Sequence, residues 1–335
     1  MNLSRRLFWS FVIVLLASVF CRQSALAELR TVSFPADKRY GHLVLMNYAP
    51  NRPTADHLDR LTPHDIILGY AQGKTRVNIP PGGICCFDPS PGLYINPRPI
   101  ATIDAAGIDG IKLTYSGLED GEEKICDNFA SYVKHFSALK LIRCKGSSLT
   151  DVGLESMAPL SNVVCLDLSN TYVSKKAVAL ACRYPKLEML ILSNVDLHGA
   201  DFARLAALPH LGCLALHNCN LVDGDIKALS SCKHIFNLDI SKNMRLTSAS
   251  LPSIKNMKEL EILFVDTTSI RPADLPTIKE LPLRVLNFDS GRVNQATAKN
   301  LLAAFPILNK RYGILFPHLH KTVTSEEKMI FAPTK

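Results

Sequence analysis

From residue 139 onward, apolar positions return on a fixed spacing. Aligned on L-x-x-L-x-L-x-x-N/C-x-L, seven successive segments match: Leu139-Ile142-Cys144-Ser147-Leu149, Val163-Leu166-Leu168-Thr171-Val173, Leu187-Leu190-Leu192-Val195-Leu197, Leu211-Leu214-Leu216-Cys219-Leu221, Ile235-Leu238-Ile240-Asn243, Leu260-Leu263-Val265-Thr268-Ile270 and Leu283-Leu286-Phe288-Gly291-Val293. Their starts are 24, 24, 24, 24, 25 and 23 residues apart, and a divergent copy, Ile108-Ile111-Leu113-Ser116-Leu118, precedes them by 31. The alternation within each segment predicts a short strand. The residues that follow carry apolar positions at helical spacing, as in Leu154/Met157/Leu160, Phe202/Leu205/Leu208 and Leu275/Ile278/Leu281, with Thr150, Ser174, Asp223 and Ser248 where helix N-caps belong. One strand and one short helix cannot bury their own apolar face, whereas stacked copies share a continuous core.

This pattern resembles the leucine-rich repeat family, in its cysteine-containing or F-box-associated style, over residues 108–315. The resemblance implies an α/β fold: a right-handed β/α solenoid, or horseshoe, with a parallel sheet lining its inner wall. At the ninth position only Cys219 and Asn243 match the consensus. Such a stack needs covered ends, so residues 28–107 are expected to form a small β-rich module capping the first repeat and residues 306–320 to cap the last, with 321–335 a polar tail. In the N-terminal module, strands are expected over 42–48, 65–70 and 75–79, with a proline-bearing loop over 50–63. The stretches FPADKRYGHLVL, LGYAQG and VNIPPGG look like a module of secreted bacterial leucine-rich-repeat proteins.

The first 27 residues read as an export signal: basic Arg5 and Arg6, an apolar run over 7–20, and Ala25-Leu26-Ala27 before a cleavage point. Fourteen apolar residues fall short of the roughly 20 a spanning helix needs, and Phe20 before Cys21 breaks a lipobox. The expected product is periplasmic, cell-surface or secreted, with no membrane span after cleavage. It would lack the chain's only tryptophan, Trp9. The absence of an Asn-x-Ser/Thr acceptor after residue 27 accords with a bacterial origin.

Losing Arg5, Arg6 and Arg22 lowers the net charge from +8 to +5, too mild to imply nucleic acid. Ten cysteines become nine without Cys21, leaving at least one outside an intramolecular pair. Cys144 and Cys219 sit at repeat core positions as small buried groups. Cys165 and Cys213 are two strands apart, about 10 Å on sheet spacing and beyond disulfide reach. Cys182 and Cys232 differ in phase, and a bridge from the Cys85/Cys86 pair to Cys126 stays open.

No G-x-S-x-G, H-E-x-x-H, Walker loop or G-x-G-x-x-G occurs, and His318 with His320 lacks further ligands of suitable spacing. No cofactor, metal site or enzymatic activity is therefore expected, and function falls to the inner wall. There, position 3 of successive repeats reads Leu141, Cys165, Met189, Cys213, Asn237, Ile262 and Val285. Positions 5 and 7 read Arg143/Lys145, Asp167/Ser169, Ile191/Ser193, Ala215/His217, Asp239/Ser241, Phe264/Asp266 and Asn287/Asp289, with Phe236 at the margin. The expected contact set is Arg143, Lys145, Met189, His217, Phe236, Asp239, Ile262, Phe264, Asp266, Asn287 and Asp289. An apolar, aromatic stripe rimmed by acids suits a protein or peptide partner with basic and apolar groups. The rival expectations are a structural envelope or surface spacer, and an inhibitor or accessory subunit of an extracytoplasmic enzyme.

Overall fold

The structure, a computed structural model, describes residues 27–47, 66–116, 123–289, 291, 293–306 and 308. The leader except residue 27, the proline-bearing loop and the C-terminal tail thus lie outside the described residues, as does all of the expected C-terminal cap except residues 306 and 308. Each repeat contributes positions 3 to 5 as a three-residue strand: β6 (Gly110–Lys112), β7 (Leu141–Arg143), β8 (Cys165–Asp167), β9 (Met189–Ile191), β10 (Cys213–Ala215), β11 (Asn237–Asp239), β12 (Ile262–Phe264) and β13 (Val285–Asn287). These pair in parallel, each with the next, and residues one repeat apart stand side by side. The stack is an α/β solenoid with one strand per sequence repeat.

Positions 4 and 6 bury their side chains on the helical side of the sheet, where Ile142, Leu166, Leu190, Leu214, Leu238 and Leu263 join one core running from Val32 to Leu308. After each strand the chain must turn sharply, and it does so at position 8 in a left-handed conformation. Gly146, Asn170, Asn194, Asn218, Lys242 and Thr267 have φ of 75°, 54°, 61°, 55°, 54° and 55°. Glycine and asparagine adopt that region most readily.

The ninth position tolerates several residues because each finds its own way to satisfy the turn. Asn243 donates Nδ2 to the carbonyls of Leu216 and Ile240 and accepts at Oδ1 from the amides of Cys219 and Leu221. Thr171 and Thr268 instead donate their hydroxyls to carbonyls three residues back.

The helices are tied to one another by carboxylates that reach the next repeat: Asp127 accepts from Thr150, Asp151 from Ser174 and Asp223 from Thr247, each from backbone N and hydroxyl. Thr150 caps helix Asp151–Ser156 as expected. Ser174 accepts from the amide of Lys176, although the helix there is capped one residue later. The other two caps fall one residue earlier than expected, on Val222 and Thr247. Around Phe202 and Leu275 the segments wind as 3-10 turns rather than α-helices.

Before the repeats come β1 (Glu28–Ser33), β2 (Gly41–Asn47), β3 (Ile66–Tyr70), β4 (Lys74–Ile79) and β5 (Gly83–Pro89). β1 pairs with β4 as a separate ribbon, while β5 lies antiparallel to β2 and parallel to β6. The strand-rich segment and the repeats therefore share one eleven-stranded sheet, ordered β13 through β5, then β2 and β3. Sequence patterning had not foreseen β1 or β5. Arg30 on β1 bonds Asp109 and the Gly107 carbonyl, fastening this strand to the entry of the first repeat.

The nine described cysteines are all free thiols, so the bridge to Cys126 is not formed. Cys85 and Cys86 point to opposite faces of β5, the first into the main core and the second into a smaller cluster on the other side of the sheet.

Candidate partner-binding face

On the helix-free face, positions 3, 5 and 7 form three rows across the strands. The expectation that position 3 is open to solvent is overturned for five of its seven members. Leu141, Cys165, Met189, Cys213 and Asn237 are each at most 1% exposed. Met189 is accordingly a packing residue and leaves the set of contact residues. The reason is lateral contact: with parallel neighbours about 4.8 Å apart, side chains of this size close over one another. They are joined by Val44, Met46, Ile84 and Cys86 from β2 and β5. Ile191 and Ala215 at position 5 belong to the same cluster.

Charge on this face is largely self-paired at the N-terminal end. Lys112 reaches Asp88 at 3.2 Å, and Arg143 Nε lies 3.6 Å from Asp167 Oδ2. Asp167 is 2% exposed, and burial pushes its carboxyl up from the ordinary value while bonds from Ser169 and the cations Arg143 and Lys145 pull it back. Lys145 remains half-buried at position 7.

The C-terminal end is different. Ile262 and Phe264 on β12 and Asp239 on β11 are half-buried, Asn287 on β13 is exposed, and Asp266 and Asp289 are half-buried at position 7. Phe264 is the register partner of Asp239. Asn287 donates to Asp266 Oδ1 at 2.9 Å, and Asp289 Oδ1 accepts from the Thr267 amide at 3.0 Å. Asp239 Oδ1 takes two bonds from Ser241, from its amide at 2.9 Å and its hydroxyl at 2.5 Å. That hydroxyl also lies 2.7 Å from His217 Nδ1. Burial raises the Asp239 carboxyl, the Ser241 bonds and His217 lower it, and Asp266 adds to the rise. Phe236 stands half-buried at the margin with its ring in the space over Gly212, where a Cβ would sit 2.4 Å from Cε1. Gly212 is thus what admits the ring.

Two features escaped the sequence reading. Ser241 links two of the expected residues, and the serine two places after Asp239, as Ser169 follows Asp167, was its signal. Asn237 is the other. Apart from the Tyr184 hydroxyl in the core, its Nδ2 and Oδ1 are the only buried side-chain polar atoms among the described residues that lack a hydrogen-bond partner. An unsatisfied buried amide costs about 1–3 kcal/mol. Its signal was that it is the one polar residue in an otherwise apolar row.

Among the described residues no group of three or more His, Cys, Asp or Glu is placed to hold a metal ion, and no helix is long and apolar enough to cross a membrane.

No family model matches the chain, and no curated protein matches it. Among solved structures it is similar to an internalin (inlF) of Listeria monocytogenes strain 4b F2365, at 16% identity and TM-score 0.42, over 61% of each chain. A second internalin of that strain, internalin C2, matches at 15% identity and TM-score 0.40, over 59% of this chain and 92% of that one. The plant peptide hormone receptor RGFR1, solved in complex with RGF2, matches at 15% identity and TM-score 0.35, over 55% of this chain and 32% of the receptor. The chain thus spans 61% of the first internalin and about a third of the receptor. The fold assignment rests on the strand register above.

Proposed function

We propose that this chain is an exported, non-enzymatic leucine-rich-repeat protein, of the cysteine-containing style, that binds a protein or peptide partner on the helix-free face of its last three described repeats. The observation that carries this reading is the placement of two half-buried phenylalanines, Phe236 and Phe264, with the carboxylates of Asp239, Asp266 and Asp289 on adjoining repeats. Aromatic anchors beside carboxylates suit a partner with apolar and basic groups. Arg143, whose charge is spent on Asp167, is outside the proposed contact.

The test is affinity capture of the partner from the native envelope or culture fluid, followed by binding kinetics on folded variants. Asp→Asn changes at the three acids are expected to slow association and flatten its salt dependence. Phe264→Ala is expected to speed dissociation, with a loss of about 2 kcal/mol or more in affinity. Rates untouched by all four changes would turn the reading to the second one, a structural spacer. That reading is favoured by the burial of position 3 from β7 to β11.

A further inference from the structure

Within the face just described, Asn237 is out of keeping with its surroundings. It is 1% exposed, between Cys213 and Ile262 in the sheet register, and beyond the weak contact with the Cys213 thiol neither atom of its amide has a partner. The repeat does not call for an amide there, since every other member of the row is apolar. Six residues later Asn243 shows how the fold uses an asparagine when it needs one, with both amide atoms engaged by main chain. A buried polar group left unsatisfied by its own fold is a marker for a function that supplies the missing bonds.

What lies beside it defines the chemistry. Asp239 is two residues along β11, so it stands on the same face, and its bonds from Ser241 both end on Oδ1, leaving Oδ2 to accept. Asp266 is electrostatically linked to it from the next repeat. A primary amide both donates and accepts, as a peptide group does, and side chains two apart on an extended peptide recur at about 7 Å, the same interval as Asn237 to Asp239.

We infer that Asn237 and Asp239 together read an extended peptide segment, the Asn237 amide pairing with one main-chain peptide group and Asp239, with Asp266, receiving a Lys or Arg side chain of that segment. This rests on the binding reading above and names its partner chemistry. The amide is sealed in the unbound chain, so binding opens the face.

The probe is a positional library of acetylated, amidated hexapeptides, measured against the full mature chain by fluorescence anisotropy. The selected peptide is expected to carry Arg or Lys at one fixed position. Replacing an Arg there by citrulline, or a Lys by norleucine, should weaken binding at least tenfold, and N-methylation of one main-chain amide should do the same. Asn237→Leu should melt no lower than wild type, bind at least tenfold more weakly and lose its sensitivity to that N-methyl group. Retention of no hexapeptide, equal binding of the uncharged peptide, or N-methylation without effect at every position would each overturn the inference, and none of these needs a variant to fold. If Asn237→Leu binds like wild type, the inference fails. A drop from Asp239→Asn in that same experiment would leave the binding reading standing, whereas indifference of the captured partner to the acid and Phe264 changes would remove the binding reading itself.

Discussion

A single hydroxyl joins Asp239 to His217: Ser241 Oγ donates to Asp239 Oδ1 at 2.5 Å and stands 2.7 Å from His217 Nδ1. The hydroxyl has one proton and the carboxylate takes it, so toward the imidazole it can only accept. Neutral His217 must then carry its proton on Nδ1, leaving Nε2 as an acceptor. Long-range nitrogen–proton correlation spectra should show that tautomer, and Ser241→Ala should abolish the preference. A wild-type Nε2–H tautomer would contradict the arrangement.

The Arg143 and Asp167 pair sets a dependence on pH. Burial raises the Asp167 carboxyl above its ordinary 3.8, so the folded state holds that proton more tightly than the unfolded chain. Its contribution to stability is therefore fully present below 3.8 and declines as pH rises through the folded value. Removing the cation accentuates this. Arg143→Ala is expected to lower unfolding stability by about 3 kcal/mol at pH 7 and by clearly less near pH 4. Urea titrations at both pH values would show it, and equal losses would place the carboxylate in solvent.

Thr267 holds φ at 55° where most other repeats have glycine or asparagine. A β-branched residue is poorly suited to that region, so Thr267→Asn should stabilise the protein by about 1 kcal/mol. Thermal melts of the two proteins compare them directly. A lower melting temperature would show that the threonine side chain is making up for the strain.

Thiol reactivity should single out one cysteine. Burial pushes Cys85 to about 11 and Cys126 and Cys219 to about 12, and raises Cys144 and Cys165 well above the ordinary thiol value. Cys182 alone among the nine is not fully buried. In the native protein at pH 8, iodoacetamide should label Cys182 first, and peptide mapping would identify it. Early labelling of Cys85 or Cys126 would contradict the packing of the core.

The strands of the repeats were legible because their signal is a hard one: Leu190 and Leu214 must face the core, which fixes the register to the residue. Exposure on the opposite face was not, because alternation tells which side Met189 faces and says nothing of what lies against it there. Val44, Met46, Ile84 and Cys86 reach that face from strands far away in sequence. β5 was hidden for a related reason. Cys85 and Cys86 invite a reading in terms of bridging, whereas as successive strand residues they serve two different clusters. The 3-10 turns at Phe202 and Leu275 keep the apolar spacing of a helix, and spacing alone does not separate the two windings.

Met189 also has a part to play as an insulator. In the sheet it stands between Cys165 and Cys213, each its immediate register partner. Both thiols are one repeat, 24 residues, from it in sequence. A chain shortened by that one repeat would keep every strand in phase and bring the two cysteines side by side, about 4.8 Å apart at Cα, within the range a disulfide can bridge. In an oxidising compartment the shortened protein would be open to cross-linking across its own inner wall. The thioether in the intervening strand protects the full-length protein from that bond by distance alone.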